Sequence, residues 1–114
     1  MKQNQQDGQG TCVYDASYDI LTFRTGLWYH HSLEIGHFVV DLDEQEGVSG
    51  LRVFDASQTL GIDASFLSRL SAHDLSVQLE DGMVDIRLSL VGKKGERSTH
   101  QVRMPVDVQR VSTG

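Results

Sequence analysis

The chain has 114 residues and a mass of 12.7 kDa, enough for one modest core and too little for two ordinary domains. Ten basic against sixteen acidic residues leave a formal charge of -6, which argues against a nucleic-acid surface built on clustered Lys and Arg. Cys12 is the only cysteine, so a disulfide-stapled secreted scaffold is excluded; no apolar run approaches a membrane span and no signal-like segment opens the chain, so a cytoplasmic protein is expected.

In chain order, "MKQNQQDGQG" holds no apolar residue beyond Met1, and 1–10 reads as a disordered leader with nothing to bury. One α+β domain is expected over 11–111. Its first part, "TCVYD" and "DILTFRT", reads as two strands around the turn-forming "DASYD". Leu21 and Phe23 then share one face, and Ile20, Thr22 and Arg24 the other. "EIGHFVVDLDE" has a strand centre at Phe38, Val39 and Val40. The acidic "DLDEQEG" turns the chain, and "VSGLRVFDAS" supplies a further strand. A short helix is expected over 62–72, with Asp63 as its cap and Phe66, Leu67 and Leu70 on its apolar side.

The segment 75–111 alternates most clearly. Leu75, Val77 and Leu79 form one face, and Asp81–Gly82 provides a tight turn. Val84, Ile86, Leu88 and Leu90 follow. After "GKKG", read as part of a solvated turn in "GKKGER", come Val102, Met104, Val106 and Val108. Pro105 removes a ladder donor, which suggests an edge position or a strand ending there. The fold class is therefore α+β: a small, strand-rich antiparallel sheet module with one short helix, arranged as a roll or meander.

The residues of 12–57 carry a family resemblance. Tyr14 and Asp15, then Asp19, Leu21 and Phe23, precede Val39, Asp41 and an acidic turn ending at Gly47. Gly50, Leu51, Val53 and "DAS" at Asp55–Ser57 close the pattern. This resembles the small family catalogued as domain of unknown function 2283. The resemblance implies a strand-rich α+β module and transfers no catalytic residue. This chain differs from a short member by the inserted "GLWYHHSLEIG" and by the long C-terminal β segment.

Several residue types could carry chemistry. Asp41 and Asp43, at i and i+2 in a strand, would point the same way and offer oxygen ligands to calcium or magnesium. The calcium-loop pattern fails, however: counted from Asp41, glycine falls seventh and Arg52 stands twelfth. His31 and His37 are a fragment of a zinc site, whereas the neighbours His30 and His31 would face opposite ways in a strand. Trp28 and Tyr29, with His30, His31 and His37 nearby, are candidates for an interface or ligand contact, because aromatics with a polar edge favour contact surfaces. Tyr14, Asp15, Asp19 and Asp55 read as turn structure. Nucleophile-elbow, phosphate-loop and zincin signatures are absent, and no cofactor is expected.

The leading functional expectation is a non-catalytic small domain with a binding or structural role that self-associates as a homodimer to cover exposed strand edges. A metal-assisted or small-molecule enzyme using the acidic turn and nearby histidines is one alternative. An accessory protein binding a basic partner through acidic surface is the other.

Overall fold

The computed structural model describes residues 2–6, 10–105 and 111–113, with side chains over 10–105. Strands β1 (Lys2–Gln6), β7 (Leu70–Glu80), β8 (Met83–Gly92) and β9 (Arg97–Pro105) form a four-stranded sheet in the order β1-β7-β8-β9. The other sheet has the order β10-β4-β5-β6-β3-β2. It contains β2 (Thr11–Asp15), β3 (Ile20–Arg24), β4 (His31–Ile35), β5 (Phe38–Leu42), β6 (Val48–Phe54) and β10 (Val111–Thr113). Every pairing is antiparallel. The expected α+β class and antiparallel core are therefore seen.

Alternation decides which faces meet. Leu21, Phe23, Leu33, Val40, Leu51 and Val53 from the larger sheet join Leu75, Val77, Val84, Ile86, Leu88 and Leu90 from the smaller in one buried cluster. The rings of Phe23 and His73, 5.5 Å apart, are a direct contact between the sheets. Two helical turns, α1 (Ala56–Leu60) and α2 (Ala64–Leu67), link β6 to β7 and bury Ala56, Leu60 and Leu67. Such short turns are held by packing rather than by helix propensity. Among the described residues, no helix is long and apolar enough to cross a membrane.

Several boundaries differ from the sequence expectation. The helix expected over 62–72 covers only Ala64–Leu67, and β7 begins at Leu70. A register shift between Leu70 and Ala72 breaks the alternation at that point. Asp63 stands at the N-cap position, but its side chain makes no capping bond. The backbone carbonyl receives the N–H groups of Phe66 and Leu67 instead. α1 begins within the "DAS" that the sequence reading included in the strand segment "VSGLRVFDAS".

Residues 2–6, expected in a leader, pair along β7 from Lys2 opposite Leu79 to Gln6 opposite Leu75. Backbone pairing at a sheet edge needs no apolar side chain. Val106 and Val108, assigned to the last alternating run, lie outside the described residues.

The Asp81–Gly82 turn has positive φ at both positions, 55° and 74°, as a two-residue hairpin of matching twist requires. Pro105 closes β9, which among the described residues pairs only with β8 and is an edge of its sheet.

Candidate functional site

The strand order makes the inserted segment a bridge. β3 lies beside β6, so the chain leaving β3 must cross the ends of β6 and β5 to reach β4. Three strand spacings amount to about 14 Å, and the six residues from Thr25 to His30 can reach roughly 20 Å. Thr25 anchors the bridge: its N–H donates to the Ser49 carbonyl (3.1 Å) and its hydroxyl to the Val48 carbonyl (2.8 Å). At the far end the His30 N–H donates to the Leu42 carbonyl at 2.7 Å. Between these anchors Leu27, Trp28 and Tyr29 stand outward. Trp28 is 90% exposed, and its two neighbours are exposed as well.

The acidic turn lies against this bridge. Asp43 Oδ1 accepts the N–H groups of Gln45 (2.9 Å) and Gly47 (2.7 Å), which fixes the turn by a short side-chain-to-backbone motif. Leu27, Trp28, Tyr29, His30, Asp43 and Glu44 together line a cleft of about 460 Å³. Sequence reading placed Trp28, Tyr29 and His30 in one contact region, and the fold sets the acidic turn beside them.

Asp41 and Asp43, expected to point the same way, separate. The register shifts between Asp41 and Leu42, and Asp43 leaves the strand for the turn. Asp41 is only 1% exposed, on the face of the larger sheet opposite the core. Arg52 holds its carboxylate at two points, Nη2 to Oδ1 (2.7 Å) and Nε to Oδ2 (3.1 Å). Ser32 donates its hydroxyl to Oδ1 at 2.6 Å. Its single proton then requires the Tyr29 hydroxyl, 3.2 Å away, to donate to Ser32. Arg24 approaches Oδ2 at 3.9 Å. Ser32, Arg24 and Arg52 were not among the expected site residues. The available signal was a charged residue set among apolar ones in two strands, in "VVDL" and "LRVF".

His31 and His37 do not converge, since His31 opens β4 and His37 lies beyond its other end. His37 Nδ1 is 3.4 Å from an Asp55 oxygen, both side chains being exposed. His37 also borders a second cleft, of about 470 Å³, with Tyr29, Ser32, Glu34, Arg52 and Phe54. His30 and His31 do meet, with their Nδ1 atoms 2.9 Å apart and their rings edge-on. The strand alternation expected to separate them fails because His30 lies in the bridge, one residue before β4. One of these two nitrogens donates to the other. Among the described residues, no three or more His, Cys, Asp or Glu side chains gather as a metal site.

The opening aspartates join separate elements. Asp15 Oδ1 accepts the N–H groups of Ser17 (2.9 Å) and Tyr18 (3.3 Å) within the first turn. Asp19, at φ 58°, reaches further. Oδ1 accepts from the Tyr14 hydroxyl (2.6 Å) and the Ser57 N–H (3.0 Å), and Oδ2 from the Ser57 hydroxyl (2.7 Å). The Tyr14 and Ser57 bonds hold the Asp19 carboxyl below the usual carboxylate range. The same hydrogen bond, aided by burial and carboxylate charge, pushes the Tyr14 phenol up to about 12. Burial pushes the Cys12 thiol up to about 12, which makes it a poor nucleophile at neutral pH.

The fold and this face define a two-sheet antiparallel α+β domain with an aromatic bridge set against an acidic turn. No family model, curated protein or solved structure matches the chain.

Proposed function

We propose that this chain is a non-catalytic binding domain that self-associates as a homodimer, with the bridge at Leu27–Tyr29 as its contact surface. The observation that carries the reading is Trp28, 90% exposed between two further exposed apolar residues. Large amphipathic aromatics are the commonest anchors of protein interfaces, where their removal from water stabilises the complex. The bridge is tied to the sheet at both ends by Thr25 and His30. A held surface loses less conformational freedom on association than a loose one. The single cysteine and acidic charge favour a cytoplasmic domain acting on protein rather than on nucleic acid or membrane.

Sedimentation velocity over a wide concentration range tests the reading. The wild-type chain is expected to pass from monomer to dimer as concentration rises, and Trp28→Ala to remain monomeric over the same range. A Trp28→Ala chain that dimerises like the wild type removes the bridge from the interface. A wild-type chain that stays monomeric throughout rejects self-association.

A further inference from the structure

A third cleft has a chemistry that is the complement of the Trp28 face. Phe66 of α2, half-buried, lies with Arg69, Lys93, Lys94 and Glu96 around a hollow of about 370 Å³ between α2 and the β8–β9 turn. The Glu96 carboxylate is already engaged, accepting the Lys94 N–H at 2.8 Å. Arg69 Nε donates weakly to the Ser65 carbonyl at 3.4 Å. Among the described residues, none of Arg69, Lys93 or Lys94 forms an ion pair. Three cations and one carboxylate thus line the hollow beside one aromatic ring, a local excess of positive charge in a chain whose net charge is -6.

The Trp28 cleft has the opposite character. Asp43 and Glu44 line it, no Lys or Arg does, and among the described residues neither acid is ion-paired. Its aromatic side chain projects outward, whereas the aromatic of the basic cleft forms part of a recess. An indole entering that recess would meet the Phe66 ring and nearby cations. Both contacts are favourable for an aromatic face, and more so when water is excluded.

We propose that Trp28 of one copy seats against Phe66 in the basic cleft of a second copy, with Asp43 and Glu44 brought alongside Arg69, Lys93 and Lys94. This rests on the self-association reading and supplies the receiving surface which that reading leaves open. The contact joins two different patches. Two copies can satisfy it reciprocally in a closed dimer, and contacts that do not close would build larger assemblies. Opposite charge at its rim also makes association fall as salt rises.

Two variants divide the contact. Trp28→Ala removes the projecting ring and leaves the cleft, whereas the double variant Lys93→Glu, Lys94→Glu reverses the cleft and leaves the ring. All three positions are exposed, and circular dichroism checks that both proteins fold. Each variant alone is expected to sediment as a monomer where the wild type associates, and their equimolar mixture to regain a complex. Trp28 is the only tryptophan, so tryptophan emission from the mixture comes solely from the double variant and is expected to shift to the blue on mixing.

A double variant that associates like the wild type overturns the proposed cleft while leaving self-association through Trp28 standing. A mixture that stays monomeric overturns the pairing of the two surfaces. A wild-type chain that is monomeric at every concentration overturns both readings. If such a monomer shows a blue shift only with an arginine- and lysine-rich peptide, the occupant of the Trp28 face is a foreign basic partner, and the proposal fails.

Discussion

Arg52 holds Asp41 through two hydrogen bonds, 2.7 Å from Nη2 to Oδ1 and 3.1 Å from Nε to Oδ2, and the carboxylate is almost wholly shielded from water. β5 and β6 pair Asp41 with Gly50 and Val39 with Arg52. The arginine therefore reaches diagonally across the ladder, and Gly50 admits the close approach of β3: a Cβ there would lie 2.7 Å from the Phe23 carbonyl oxygen, against an ordinary 3.4 Å from Asp41 Oδ2. Removing one partner of such a pair strands the other charge away from water. Arg52→Ala is therefore expected to cost about 3 kcal/mol or more, read from the urea midpoint. The double variant Asp41→Leu, Arg52→Met should recover much of that loss, because packed apolar groups replace a buried ion pair at little net cost. Equal stability of Arg52→Ala and the wild type would mean that water solvates Asp41.

How much of this was legible follows from what each feature depends on. Val84, Ile86, Leu88 and Leu90 were readable as a buried face because a strand with one dry side writes its period directly into the sequence. Asp81–Gly82 was readable because both residues tolerate the positive φ that the turn imposes. α1 was not, since five residues led by Asp55 at φ 50° carry no helical period. β1 was not, because its pairing uses backbone groups that every residue has. In the candidate site, Trp28 and Tyr29 stood out as an aromatic insertion. The Asp41–Arg52–Ser32 cluster draws on three strands and depends on register, which local patterning does not encode.

The Tyr14–Asp19–Ser57 connection ties the first hairpin to the start of α1, and it should control stability at both ends of the pH range. Hydrogen bonds to a charged group contribute about 1.5–3 kcal/mol when shielded, and partial exposure here reduces that figure. Tyr14→Phe is expected to cost roughly 1 kcal/mol, and Asp19→Ala more, because it also loses both Ser57 contacts. The Asp19 carboxyl is held down in the folded chain. Its contribution is present above the unfolded value of about 3.9 and is lost as pH falls through the lower folded value. The Tyr14 phenol is raised to about 12. Its contribution is complete below about 10 and disappears as pH climbs from there through the folded value. Urea midpoints at the two extremes check both signs, and Tyr14→Phe should flatten the alkaline loss.

His73 and His100 give a separate dependence near neutrality. His73 packs against the Phe23 ring, and His100 Nε2 lies 2.7 Å from the Ser98 hydroxyl. Burial lowers the proton affinity of both imidazoles, with Asp74 opposing it at His73. The unfolded chain then binds protons more readily than the folded one. Stability should fall as pH drops below about 6.5, until the folded imidazoles also titrate. His73→Gln and His100→Gln should each shrink this slope while leaving the loss near the carboxylate range in place. If the slope is unchanged in both variants, other groups set it.

Ser49 poses the opposite case, a polar group whose removal should help. Its side chain is 3% exposed, and its hydroxyl has no hydrogen-bond partner among the described residues. The Ser49 carbonyl accepts the Thr25 N–H that anchors the bridge. An unpartnered buried hydroxyl costs on the order of 1–3 kcal/mol, and Ser49→Ala deletes one atom while leaving that backbone bond in place. The variant is expected to match or exceed wild-type stability, by up to about 1 kcal/mol, in urea denaturation. Ser49→Val should lose stability instead, because added methyl groups in a packed site force neighbours from their rotamers. A clear loss on Ser49→Ala would show that the hydroxyl is bonded to a buried water, which would then be part of the bridge's support.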